Sequence, residues 1–251
     1  MGGVSDNCVY EVEKLTGSDK KILDFKDICP SGWSFLERNS KIISEYLEYW
    51  KSTEGDALNL GNVFQEMSPV FPKDQIKKLG VMFSQQNKKI AHAKLLFRAS
   101  QQNFQSSVFK EICAGRPNTL MIAKSENGQV FGGFTPAKWL NTKEKEFVGD
   151  HTAASFLFSL DHNMVFPIRR NQLDYAISAY GGWGPIYGSP YGPDLSISDK
   201  CHNNDNSCSS LGSHYEIPVN IKEYSNEAFS LLAGSKKFKV VEYEVYELRF
   251  E

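Results

Sequence analysis

Apolar positions recur every three or four residues in the first third of the chain, and mostly in short runs or alternation beyond it. Leu36, Ile43, Tyr46 and Trp50, with Ile42 and Leu47 beside them, make one broad stripe. Ser34 followed by Glu37 reads as a capping box, so the spacing predicts a helix from there to about Trp50. Ile76, Leu79, Met82 and Phe83 repeat the stripe after Pro72, a residue suited to a helix start. Cys8 to Glu13 alternates weakly, as a short strand would. A pair of short helices buries too little apolar area to stand alone, so these stripes need a partner surface.

From Lys94 the period shortens. Leu95 to Arg98 reads as a strand, and Ser106-Ser107 opens a short helix through Val108, Phe109, Ile112 and Cys113 that ends near Gly115. The apolar runs 119–123 and 129–134 flank Asn127-Gly128, whose chemistry predicts a type I′ hairpin turn with positive φ at both residues. Ser155 to Leu160 and Met164 to Ile168 form a second pair, joined by Asp161-His162-Asn163. Further strands are expected at Asp174 to Ala179 and Leu195 to Ser198, and a long terminal one from Phe238 to Phe250 slips its alternation at Val240-Val241, as at a bulge. The pattern predicts a mainly β, α+β chain: an antiparallel β-sandwich with flanking short helices over 94–251, preceded by a mainly helical region over 1–93.

The 251 residues can bury a full core, and 28 basic against 30 acidic side chains give a net charge of -2. That balance supplies no electrostatic footprint for nucleic acid or an anionic membrane. No apolar run reaches the length of a membrane span, and Asp6 breaks the myristoylation pattern. Five cysteines at 8, 29, 113, 201 and 208 do not form a secreted disulfide framework, which points to a reducing, cytoplasmic setting.

The order of motifs carries a resemblance. Leu95 to Ser100, Phe109 and Cys113, Pro117 to Gly128, and Val130 to Thr135 with Trp139 are followed by Ala154 to Leu160, Phe166 to Ile168, Gly184-Pro185, Asp194 to Ser198 and Leu231 to Gly234, then Val240 to Val245. This series resembles a TLDc domain over about residues 94 to 250. The resemblance implies a two-sheet antiparallel sandwich, a role in resistance to oxidative stress, and binding to the vacuolar-type proton-pumping ATPase, with no established catalytic residue. Asn127, Gly128, Gly132, Gly133, Trp139 and Asp194 are its fold-signature positions. Gly188 to Pro193 departs from it, because two prolines stand in a loop where relatives carry glycines.

Candidate chemistry is sparse. There is no nucleophile elbow, zinc-protease helix or Walker loop. Gly181 to Gly184 lacks a following helix and reads as a structural turn, with Pro185 leading into another loop. Cys201, His202, Cys208 and His214 offer metal-ligand chemistry, but Asn203 to Ser207 reads as an ordinary polar surface loop. Lys200 is the one basic neighbour that could activate those thiols, while Cys113 reads as a buried core thiol. Gly132-Gly133 inside a strand reads as a close packing contact, placed here under Trp139. Glu126, Asp150 and Asp161 read as solvated turn residues. Tyr49 and Trp50 on the first stripe, and Arg169-Arg170 beside a strand end, are candidate contacts for a protein partner.

The sequence therefore predicts a non-catalytic interaction module with no cofactor, metal or small-molecule substrate. Its partners would be subunits of the proton-pumping ATPase or, alternatively, a large cytoskeletal or ciliary assembly in which the chain is a structural subunit. A cysteine-dependent redox protein is the third possibility.

Overall fold

The computed structural model describes residues 63, 64 and 66–251. The expected strand at Cys8, the capping box at Ser34, and Tyr49 and Trp50 lie outside the described residues.

Two six-stranded antiparallel sheets make up the described fold. The first has the order β1 (Ile90–Arg98), β12 (Val240–Phe250), β2 (Thr119–Ser125), β3 (Val130–Thr135), β5 (Phe156–Ser159) and β6 (Met164–Pro167). The second runs β11 (Lys237–Phe238), β10 (Ser207–Ser209), β9 (Gly192–Ser198), β8 (Trp183–Ser189), β7 (Ile177–Ala179) and β4 (Glu146–Val148). Three helices flank them: α1 (Lys73–Gln85), α2 (Ser106–Cys113) and α3 (Asn226–Ser230). Ser225 caps α3 by accepting from Ala228 N–H at 3.2 Å.

Strand alternation divides the core in two. On β2, Met121 and Ala123 face the space between the sheets, where they join Phe97, Phe131, Leu157, Tyr187, Leu195, Ile197, Tyr243 and Val245. Leu120 and Ile122 face the other way, with Val130, Phe134, Phe156, Phe158 and Tyr246. The stripe of α1 covers that outer face: Phe83 sits 5.1 Å from the rings of both Phe134 and Phe156 and 5.8 Å from that of Phe250. Each large side chain of this kind stabilises the fold by about 1.5–3 kcal/mol on burial. Lys78 Nζ reinforces the contact, donating to the Leu160 carbonyl at 2.8 Å. The boundary expected at 93/94 falls within β1, and α1 on its N-terminal side packs on the outer face of the first sheet.

The hairpin between β2 and β3 forms where expected, with a different turn. Gly128 N–H donates to Ser125 O and Ser125 N–H to Gln129 O, both at 3.0 Å, which closes a three-residue loop. Gly128 alone has positive φ (+84°), and Asn127 does not. This is a type I turn completed by a glycine bulge rather than a type I′ turn. The freed Asn127 side chain donates 3.0 Å bonds to Ala233 O and Ser235 Oγ, which brace the turn against the segment after α3.

Three other segments differ from expectation. Asp174 begins no strand, because Leu173–Tyr175 is a 3₁₀ turn and β7 starts at Ile177. Pro185 lies within β8 rather than in a loop, and Ser207 lies in β10 rather than in a polar surface loop. The terminal run has its irregularity at Val240, where the register with β2 shifts, but it also divides: Lys237–Phe238 belongs to the second sheet and Val240–Phe250 to the first.

Candidate functional site

Four carboxylates are buried among the described residues; Glu242 accepts from Ser100 N–H at 3.1 Å, and the other three gather several donors each. Asp194 on β9 accepts from the backbone N–H groups of Gly212 (2.8 Å), Ser213 (2.9 Å), His214 (2.9 Å) and Tyr215 (3.3 Å), and lies 2.8 Å from His214 Nδ1. These donors fold the 212–215 segment around the carboxylate. Gly188 closes over it with φ +91°, and an added Cβ there would sit 2.8 Å from both Asp194 Oδ2 and His214 Nδ1.

Asp150 precedes β5 and is buried rather than solvated. Its oxygens accept from Thr152 N–H (3.0 Å) and Oγ1 (2.5 Å), Ala154 N–H (2.9 Å), and Ser155 N–H (2.7 Å) and Oγ (2.8 Å). Burial pushes the carboxyl up, but the bonds from Thr152 and Ser155 outweigh it and hold the group below the ordinary aspartate value. Asp161 and Glu126 are exposed, as expected, and both still accept backbone bonds, from Val130 N–H at 2.6 Å and Lys239 N–H at 3.2 Å.

Glu244, on the outer face of the first sheet, accepts from Arg98 Nε at 2.5 Å, Ser68 N–H at 3.1 Å and the Tyr246 hydroxyl. Arg98 also donates to the Glu66 carbonyl, so this network pins residues 66–68 to the sheet. Burial raises the Glu244 carboxyl above the usual glutamate value against the opposing bonds from Tyr246 and Arg98.

The glycine pair is a packing device. A Cβ on Gly132 would lie 1.9 Å from the Met121 carbonyl oxygen, and one on Gly133 would lie 2.6 Å from Tyr187 Cζ. The ring on Gly133 is therefore Tyr187 of the second sheet. Trp139 packs against that ring at 5.6 Å, against Phe109 at 5.3 Å, and donates Nε1–H to Thr119 Oγ1 at 2.7 Å.

The cysteine and histidine positions do not converge. Cys201 is buried, His202 stacks on Phe104 at 4.2 Å, and His214 is committed to Asp194. Burial pushes the thiols of Cys113 and Cys201 up to about 12. Burial also raises Cys208, with Lys236 and Lys237 opposing it; these two cations are brought near by the pairing of β10 with β11, which the local sequence around Cys208 does not reveal.

Of the arginine pair, Arg169 is committed to the fold through Glu223 and the Tyr215 carbonyl (3.3 Å), and Arg170 is exposed. Sequence reasoning missed a group of aromatic side chains around β4: Phe147, Tyr175, Tyr180 and Tyr191, with the Lys145 ammonium 4.7 Å from the Tyr180 ring and 4.5 Å from that of Tyr191. Its members come from β4, a 3₁₀ turn and two separate loops, so no periodic signal announces it.

Among the described residues no helix is long and apolar enough to cross a membrane. No curated protein matches the sequence. The family model of the TLDc domain matches residues 64–249, beginning ahead of α1 and ending within β12. With two antiparallel sheets and most of its length inside that match, the chain belongs to the TLDc domain family.

Proposed function

We propose that this chain is a non-catalytic protein-interaction module that binds and regulates the vacuolar-type proton-pumping ATPase, in connection with resistance to oxidative stress. The observation that carries the reading is the TLDc match over 64–249, since binding to this pump is what resemblance to that family implies. The fate of the polar groups supports it: Asp150, Asp194 and Glu244 hold loops to sheets, and the cysteines 113 and 201 are buried with raised thiols. The chain would then work from the cytoplasm at an organelle surface, with no cofactor.

The test uses purified full-length chain and vesicles bearing the pump. Binding to the pump's cytosolic subunits at micromolar concentration, with a change in ATP-driven acidification, is the expected result. Recovery on a cytoskeletal assembly with no effect on the pump would overturn the reading in favour of a structural subunit.

A further inference from the structure

We propose that the aromatic surface around β4 is a docking site for an acidic segment of a protein partner, with the Lys145 ammonium as its anchor. The proposal rests on reading the domain as an interaction module, and not on the pump being the partner.

Phe147 and Ser178 are paired across β4 and β7, and Glu146 pairs with Ala179. Lys145 and Tyr180 are the residues just beyond that last pair, and the Lys145 ammonium lies 4.7 Å from the Tyr180 ring. Strand alternation therefore places Lys145 and Phe147 on the face of the second sheet turned away from the core, and Glu146 and Val148 on the other. Val148 packs against the inter-sheet core, which fixes the assignment. Glu146 is drawn aside as well, accepting from Thr142 Oγ1 at 3.0 Å.

The cation is thus separated from its acidic neighbours in sequence. Among the described residues no carboxylate lies within ion-pair distance of Lys145, whose contacts are the two tyrosine rings at 4.7 and 4.5 Å. Those rings orient the ammonium without neutralising it. Around it Tyr191 is 77% exposed, Phe147 49% and Tyr180 37%. Tyr191 stands at the tip of the β8–β9 hairpin, where Pro190 and Tyr191 connect the paired Ser189 and Gly192. A fixed, unneutralised cation ringed by exposed aromatic groups is complementary to a carboxylate flanked by apolar side chains. Tyrosine is also enriched at the energetic centres of protein interfaces.

The full chain is titrated against a fluorescent peptide of alternating glutamate and leucine, and against the same peptide with lysine in place of glutamate. The acidic peptide is expected to bind, more weakly as salt is raised. Lys145→Glu and Tyr191→Ala should each reduce its affinity about tenfold, the equivalent of about 1.4 kcal/mol. Lys236→Glu, which removes the cation 4.3 Å from the Phe229 ring, should leave it unchanged. No binding, equal binding of the basic peptide, or equal losses in the Lys145 and Lys236 variants would overturn the proposal. Either result leaves pump binding by the unmodified chain to be scored separately.

Discussion

The hydroxyl of Tyr187 donates to the carbonyl of Gly133 at 2.7 Å, from one sheet of the sandwich to the other. The contact exists because Gly133 lacks a side chain. A Cβ would lie 2.6 Å from Tyr187 Cζ and 2.8 Å from Leu157 Cδ2, so the ring occupies the place an alanine would need.

Gly133→Ala should therefore destabilise the fold by about 1–3 kcal/mol, the usual cost of overpacking a filled core. Tyr187→Phe should cost less, about 1 kcal/mol, since it removes one hydrogen bond and keeps the ring. Urea unfolding of the two variants gives the order. A larger loss from Tyr187→Phe would mean that the bond, rather than the shape, holds the sheets together.

The β2–β3 turn gives a test that separates two turn types. Gly128, at φ +84°, should tolerate valine poorly, and Gly128→Val should lower stability by about 1–3 kcal/mol. Asn127→Gly is more informative. In a type I′ turn it would be neutral or stabilising, whereas here it removes bonds to Ala233 and Ser235 from a residue at negative φ and should cost about 1 kcal/mol. Thermal unfolding of Asn127→Gly decides between them.

Asp150 should dominate part of the acid response. Its folded value lies below the ordinary 3.8 because hydrogen bonds to the ionised form outweigh burial. Its stabilising contribution is therefore complete above about the unfolded value and is lost as pH falls through the lower folded one. Asp150→Asn puts an amide among donors, and should cost about 1–3 kcal/mol at neutral pH. It should also flatten the fall in stability below the unfolded aspartate value. Parallel unfolding curves for the two proteins across that window would show that the carboxylate is not the titrating group.

The thiols should be slow. Cys113 and Cys201, with values pushed up to about 12, hold almost no thiolate at neutral pH. In native protein, iodoacetamide should modify them far more slowly than free cysteine and match it after unfolding. Any peroxide protection should survive Cys201→Ser with Cys208→Ser; complete loss in a folded double variant would restore a redox role.

How much of this was legible depended on range. The β2–β3 hairpin could be read because its signal is local, two apolar runs around Asn127-Gly128, yet the turn type could not, since it turns on bonds to Ala233 and Ser235 more than a hundred residues away. Asp194 stood out as a fold-signature position without a visible role, because its donors at 212–215 follow a further strand. Asp150 looked solvated for a different reason: its donors lie only two to five residues on, at Thr152, Ala154 and Ser155, but composition near a turn does not show that their N–H and hydroxyl groups converge on one carboxylate. The aromatic surface at Lys145 has no sequence period at all.

The α1 stripe was legible, but its partner was not, and this bears on where the domain can be cut. Leu79, Met82 and Phe83 are buried against Phe134, Phe156 and Phe250, side chains of the first sheet. Residues 66–68 are pinned to the same face by Glu244 and Arg98. A fragment starting at 94 would expose that aromatic face and leave the buried Glu244 without its bond from Ser68. It should be insoluble or unfold without cooperativity, whereas one starting at Thr53, where the compact unit begins, should unfold in a single transition. Phe83→Ala in the full chain should cost about 3–5 kcal/mol through the cavity it leaves. If the fragment from 94 unfolds as cooperatively as the fragment from 53, and Phe83→Ala costs under about 1 kcal/mol, then α1 is an attachment and not part of the core.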